Sequence, residues 1–206
     1  MDKNGYRYAI TGAMAASYYG RARTTRDVDF RLQIKKADLD IFLGQLENHG
    51  LKVYRNRIRR QLSSGYNVLE LQDSRSPYRV DFIIDSVRLT GIRKGIAFGL
   101  RTFYDTPETL ILSKLRMIKA TVLKEKGYKD TEDIREILQN TRVNKTRLAA
   151  LAREQGTEEI LKQILHKTSE RVRGPQMMLK TVKATNARRV LKPAKHVFHK
   201  KKGFFF

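Results

Sequence analysis

The sequence predicts an α+β protein with two unlike halves. Segments that alternate between apolar and polar residues, as strands do, all lie before residue 85, whereas apolar residues at helical spacing dominate 106–170. Hydrophobic residues make up 40% of the 206 residues, which is enough for a packed core. We therefore expect a mixed core at 1–105, a helical subdomain at 106–172 and a basic, flexible tail at 173–206.

The first predicted elements form a strand–glycine–helix unit. Residues 7–11 predict a short strand, Gly12 interrupts it, and 13–19 predict a helix of small residues that ends at Gly20. A glycine at this junction lets the backbone approach a ligand closely, and the start of a helix favours anions.

The next strand carries two carboxylates on one side. Residues 28–34 alternate strictly between apolar and polar, which places Asp27 and Asp29 together on the polar side. The other elements expected in this half are a helix at 38–48 and strands at 51–54, 66–72 and 78–84.

The second half begins with a clear helix start. Thr106 followed by Pro107 is typical of an N-cap and a first helical residue. Lys114 lies on the apolar side of this helix. By itself this position indicates a side chain whose methylene groups pack on apolar neighbours and whose ammonium group reaches water. Asp130 is expected to cap the next helix. Two further helices are predicted near 144–153 and 157–167.

The net charge of the chain indicates which classes of molecule it binds. Forty-three Lys and Arg stand against 21 Asp and Glu, a net charge of +22, which favours polyanions such as nucleic acid or a nucleoside triphosphate. Ten of these basic residues, and no acidic one, lie in the tail at 173–206, which is either simply solvated or a phosphate-binding arm.

Several other classes of protein are excluded or not expected. The absence of cysteine excludes disulfides and thiolate metal sites. No run of about eighteen apolar residues is present, so no membrane span is expected. The first residues do not resemble a signal peptide, and a cytoplasmic location is expected.

A third acidic residue completes a candidate metal site. In the strand expected at 78–84, Asp81 projects to the side opposite Val80 and Phe82. Three carboxylates from neighbouring strands suit Mg²⁺, and two such ions clamp the attacking and leaving oxygens of a phosphoryl transfer. The alternative is that Arg26 or Arg31 simply pairs with these acids on a solvated face.

These residues resemble the DNA polymerase beta-like nucleotidyltransferase superfamily, in the order apolar strand, glycine with a small residue, spacer and Asp-x-Asp. Gly12-Ala13 and Asp27-Val28-Asp29 match this order. A narrower resemblance, to small prokaryotic nucleotidyltransferases that include abortive-infection type IV toxins, is carried by further residues: Arg23, Pro107-Glu108, Lys114 and Lys129-Asp130-Thr131-Glu132-Asp133.

The resemblance implies a mixed sheet flanked by helices and a set of roles. The expected metal-binding and catalytic residues are Asp27, Asp29 and Asp81, with Mg²⁺ or Mn²⁺ as cofactor. The residues expected to bind the nucleoside triphosphate, ATP or another, are Gly12, Ala13, Arg26 and Lys114. Ala13 stands where the family usually has Ser, so one hydrogen bond to phosphate, of about 1.5–3 kcal/mol, is missing.

The sequence leaves several functions open. The first is a nucleotidyltransferase that acts on a hydroxyl of RNA, including tRNA, or of a protein. The second is a catalytically weak relative that binds nucleic acid, which Ala13 and the basic tail favour. The third is a toxin held inactive by an antitoxin protein, which the narrower resemblance implies.

Overall fold

The computed structural model describes residues 5–85, 87–121 and 124–168, without the side chains of 124–126. The basic tail predicted at 173–206 lies outside the described residues. The chain divides into two units, Met1–His166 and Lys167–Phe206. The first unit contains the sheet and all the site residues discussed below.

Seven strands form the sheet, and helices account for most of the remaining described residues. The strands are β1 Arg7–Ile10, β2 Asp27–Gln33, β3 Leu51–Lys52, β4 Val68–Asp73, β5 Arg79–Asp85, β6 Ile92–Ala97 and β7 Leu100–Asp105. The helices are α1 Gly12–Tyr19, α2 Leu39–Asn48, α3 Arg55–Ser63, α4 Pro107–Ala120, α5 Lys124–Asn140, α6 Lys145–Glu154 and α7 158–168. In the described residues, none of these helices is long and apolar enough to cross a membrane.

The sheet is mixed, in the order β3-β4-β5-β2-β1-β7-β6. β1 is antiparallel to β2 and parallel to β7, while β2 runs parallel to β5. This arrangement confirms the predicted α+β class. Because β2 and β5 are neighbours, the two strands that carry the predicted carboxylates lie side by side.

Two apolar clusters hold the sheet between helices. One lies beneath α2 and α3, where Phe42 and Ile58 pack with Leu32 and Phe82. The other joins α1 to the helices of the second half. Its members include Ile10, Ala15, Tyr19, Ile111, Leu115, Ile134, Ile137 and Leu148. This cluster crosses residue 105, so the strand half and the helical half share a core.

The described structure corrects the sequence analysis at 92–105, where no strands were predicted. These residues form the β6–β7 hairpin, whose turn places Phe98 and Gly99 at φ angles of 50° and 77°. A two-residue turn with both residues left-handed matches the strand twist, but Phe-Gly is not its usual sequence. Gly95 further weakens the strand signal; a Cβ there would lie 2.6 Å from the Tyr104 ring.

Two further boundaries differ from expectation. The strand predicted at 51–54 ends at Lys52, and α3 follows it. In α3 the fully buried side chain is Ile58, so its apolar stripe is too narrow to predict a helix. Asp130 was wrongly predicted as an N-cap, because α5 begins at Lys124 and Asp130 lies inside it.

Candidate active site

The site begins at the turn between β1 and α1. Gly12 has a φ of +60°, and a Cβ there would lie 1.9 Å from Oδ2 of Asp29. The Thr11 N–H donates to the Asp29 carbonyl oxygen at 2.9 Å, and the Ala13 N–H donates to the Asp29 carboxylate. Only glycine permits this contact, since the carboxylate rests directly against its α-carbon.

Asp29 and Asp81 lie opposite one another on the parallel strands β2 and β5. Burial is the main cause that raises the pKa of Asp29, and the charge of Asp27 adds to it. Burial, followed by the charges of Asp29 and Glu70, raises the pKa of Asp81 to about 6. Oδ1 of Asp81 is buried and has no hydrogen-bond partner in the described residues. The pair therefore holds negative charge that nearby cations only partly offset.

Asp27 is engaged with an arginine that the sequence analysis did not consider. Its Oδ1 accepts a hydrogen bond of 2.8 Å from Nε of Arg79, the register neighbour on β5. Both side chains are well exposed, at 36% and 62%. Arg31 instead pairs with Asp85 and the buried Asp105, each at 2.8 Å. The alternative to the metal site, in which Arg31 pairs with the site acids, is therefore wrong.

Arg26 immediately precedes β2 and is exposed. Its carbonyl oxygen accepts a hydrogen bond from the Arg79 N–H at 3.0 Å, and its side chain forms no ion pair within the described ranges. The guanidinium is therefore exposed and not neutralised by an acid of the described residues.

Lys114 is buried, not exposed at its head as the apolar helix face indicated. Its Nζ donates to Asp130 at 2.8 Å and to Asp133 at 2.7 Å. Arg23 also donates two hydrogen bonds to Asp133, of 3.1 and 3.0 Å. The charge of Lys114 lowers the pKa of Asp29, so the ammonium group is close enough to act on that carboxylate.

Glu70 is a site residue that the sequence analysis missed. It lies on β4 opposite Asp81, so Glu70, Asp81 and Asp29 form a row across three neighbouring strands. The Tyr66 hydroxyl donates to Glu70 at 3.1 Å, and Arg57 lies 3.7 Å from it. The sequence shows that Leu69 and Leu71 alternate with Glu70, which places Glu70 on the polar side of its strand. Only the pairing of β4 with β5 shows that this side lies next to Asp81.

The donor set partly fits a divalent cation. Carboxylate oxygens are the ligands Mg²⁺ prefers, and the buried, unpartnered oxygen of Asp81 beside Asp29 suits such an ion. Across the described ranges, however, no group of three or more His, Cys, Asp or Glu residues is placed to hold a metal. Two of the three predicted ligands are adjacent, while Asp27 is engaged by Arg79.

Comparison with known proteins identifies the fold. No protein-family model and no curated protein sequence matches the chain. Among solved structures, ANT(2")-Ia in complex with adenylyl-2"-tobramycin matches with a TM-score of 0.53 and 13% identity, covering 75% of this chain and 91% of that one. The fold is nucleotidyltransferase-like. This confirms the predicted fold class.

Two other solved structures match with lower TM-scores. The nucleotidyltransferase-like antigenic protein from Paracoccidioides brasiliensis has a TM-score of 0.48 and 16% identity, over 80% of this chain and 86% of that one. The lincosamide antibiotic adenylyltransferase LnuA, bound to lincomycin, has a TM-score of 0.44 and 11% identity, over 66% and 90% of the two chains.

Proposed function

We propose that this protein is a metal-dependent nucleotidyltransferase that moves a nucleoside monophosphate from a nucleoside triphosphate to a hydroxyl group. The observation that carries the proposal is the placement of Asp29 and Asp81 side by side, with Asp29 resting on the Gly12 turn. The fold shared with ANT(2")-Ia, a protein seen with an adenylylated antibiotic, supports the same chemistry.

The triphosphate would bind at the start of α1. The turn at Gly12 has no side chain to obstruct a phosphate, and the partial positive charge of the helix start favours an anion. Arg26, exposed beside β2, would add a guanidinium for phosphate oxygens. Lys114 would act from a distance, because its ammonium group is already held by Asp130 and Asp133.

Asp29 and Asp81 would hold Mg²⁺ or Mn²⁺, and Asp27 would join them by exchanging Arg79 for the ion. When bound, such ions supply neutralisation of phosphate charge and alignment of the reacting oxygens. Arg79, once released, would remain close enough to contact the nucleotide. A cation at this place would offset the charges that, after burial, raise the two pKa values: that of Asp27 for Asp29, and those of Asp29 and Glu70 for Asp81.

The transfer is a displacement at phosphorus and needs no oxidant or reductant. The acceptor oxygen forms a bond to the α-phosphorus, the bond from the α-phosphorus to the α–β bridging oxygen breaks, and pyrophosphate leaves. The hydroxyl proton passes to a carboxylate oxygen of Asp81 and then to solvent. Asp81 suits this role by its position, because its buried Oδ1 has no hydrogen-bond partner in the described residues and lies beside Asp29.

A radiolabel assay tests this proposal. The protein is incubated with each α-³²P-labelled nucleoside triphosphate, Mg²⁺ or Mn²⁺, and total RNA, and labelled RNA and protein are separated by electrophoresis. We expect label on one of the two acceptors. The double variant Asp27→Asn/Asp29→Asn should lose it, while Glu154→Gln/Glu159→Gln, two exposed acids on α6 and α7, should retain it. Equal labelling by both variants would contradict the proposal.

A second candidate function is nucleic-acid binding without efficient transfer. Ala13 lacks the hydroxyl expected for phosphate, and Lys114 and Asp27 are both engaged in ion pairs. This function predicts RNA binding that falls steeply with salt and is independent of Mg²⁺. An absence of label on any acceptor, together with such binding, would favour it. The role as a toxin with an antitoxin partner stays a prediction from the resemblance.

A further inference from the structure

The four arginines of α3 fall into two groups. Arg55 and Arg59 point to α2, where Arg55 lies 2.5 Å from Glu47 and Arg59 lies 3.0 Å from Asp40. These pairs link α3 to α2 at closer range than the pair of Arg57, and each of the two guanidinium groups is hydrogen-bonded to a carboxylate.

Arg57 and Arg60 have no such function. Both are exposed, and Arg60 forms no ion pair among the described residues. The nearest acid to Arg57 is Glu70 at 3.7 Å, and the two side chains are 59% and 47% exposed. An exposed pair at this distance contributes little to stability. Two guanidinium groups on one helix are therefore available to a ligand.

These two arginines line a cavity of about 640 Å³ at the first turns of α3. Tyr54, which is 62% exposed, and Asn56 line the same cavity. The acid on its wall, Glu47, is already paired with Arg55. The cavity thus combines an accessible aromatic ring, an amide and net positive charge.

The cavity adjoins the candidate active site on a defined side. Arg57 contacts Glu70, and the row then continues through Asp81 on β5 to Asp29 on β2 and the Gly12 turn. In a displacement at phosphorus, the attacking and leaving oxygens lie roughly in line. With the triphosphate on the Gly12 side of this row, the Glu70 side is left for the acceptor.

We propose that the α3 cavity binds the acceptor, and that the acceptor is a single-stranded segment of RNA. Arg57 and Arg60 would contact successive phosphates through guanidinium hydrogen bonds, and Tyr54 would stack on a base. The nucleotide beyond the stacked base would then present its hydroxyl near Asp81. This inference rests on the proposed function and names its acceptor class.

Binding is measured first, by fluorescence anisotropy of a labelled 12-nucleotide single-stranded RNA across a range of salt. Arg57→Ala/Arg60→Ala should weaken binding about tenfold and lower the slope of log affinity against log salt by roughly 1.4. Tyr54→Ala should weaken binding about tenfold with little change in slope. Arg57→Lys/Arg60→Lys should restore most of the slope, because the charges remain.

Two controls separate a local site from general attraction. Lys145→Ala/Arg147→Ala removes two exposed charges from α6, and Arg59→Ala removes a paired charge from α3 itself. Both should leave RNA affinity within about twofold. An equal loss in the Lys145/Arg147 variant and the Arg57/Arg60 variant would overturn the inference, as would unchanged binding in the latter.

Transfer kinetics distinguish this inference from the proposed function. With RNA as acceptor, the Arg57/Arg60 variant should show a KM for RNA raised about tenfold and an unchanged KM for the nucleoside triphosphate. If the wild-type protein labels RNA but the variant does so with the same KM, the cavity assignment is wrong and the proposed function stands. If the wild-type protein labels protein or a small hydroxylated molecule but not RNA, the acceptor class is wrong.

Discussion

Replacement of Gly12 by alanine tests the contact on which the site is built. The new Cβ would lie 1.9 Å from Oδ2 of Asp29, where ordinary contacts begin at 3.4 Å, so the carboxylate must move by about 1.5 Å. A misplacement of about 1 Å in a reacting group costs on the order of a hundredfold in rate. We therefore expect Gly12→Ala to lower nucleotidyl transfer at least about a hundredfold.

The same substitution also strains the backbone, and a control separates the two effects. Alanine at a φ of +60° costs about 1–2 kcal/mol, which lowers the melting temperature by roughly 2–8 °C in a protein of this size. Gly65 has a φ of +84° with nothing within 4 Å of a Cβ. Gly65→Ala should thus show similar strain but keep transfer activity.

Label transfer and thermal melting of the two variants distinguish the loss of the Asp29 contact from backbone strain. The account requires that both variants stay folded, that Gly12→Ala melts at or below the temperature of Gly65→Ala because it adds the clash with Asp29, and that their activities differ greatly. If Gly12→Ala retains transfer within a few-fold of wild type, the carboxylate contact at Gly12 is not part of the active site. Equal loss of activity in both variants would also refute the reasoning, since backbone strain alone would then explain the result.

Three further predictions follow from the charges at the site. Because burial and neighbouring acids raise the pKa of Asp81 to about 6, its contribution to stability is full below pH 3.8 and is lost as pH rises to about 6. Asp81→Asn should therefore raise the melting temperature at pH 7.5 and not at pH 3.5; a rise of equal size at both would contradict the assignment. Lys114→Met leaves Asp130 and Asp133 without their buried ammonium and should destabilise the protein by about 3 kcal/mol in urea unfolding, whereas Lys119→Met, at an exposed position of the same helix, should change it by less than about 0.5 kcal/mol. Arg79→Gln frees Asp27 and should tighten Mn²⁺ binding several-fold by electron paramagnetic resonance, while exposed Arg101→Gln should not; equal tightening would indicate a general charge effect.

The strands of the site could be predicted from the sequence because alternation of apolar and polar residues is a property of each strand alone. The strict alternation around Asp29 and Asp81 fixes which side of each strand is polar, and Gly12 marks the end of β1. The metal-site hypothesis assumed that the strands of Asp29 and Asp81 are neighbours, because nothing in either strand alone specifies its neighbour. The confirmation that they are neighbours, in the register of Asp29 with Asp81, depends on pairing across 52 residues of chain.

The contacts that the sequence analysis missed depend on how separate segments of the chain come together in the fold. Arg79 reaches Asp27 across 52 residues, and Arg23 reaches Asp133 across 110. Helical spacing placed Lys114 on an apolar face but carried no information about the acids that α5 brings to it. The same holds for Glu70, whose importance depends on β4 lying next to β5.

A crystal of the protein soaked with Mn²⁺ and a non-hydrolysable nucleoside triphosphate tests the central claim most directly. The account predicts anomalous density for Mn²⁺ at about 2.2 Å from carboxylate oxygens of both Asp29 and Asp81, with the triphosphate at the Gly12 turn. Manganese and triphosphate bound elsewhere, or a triphosphate at the turn with neither carboxylate touching an ion, would contradict it.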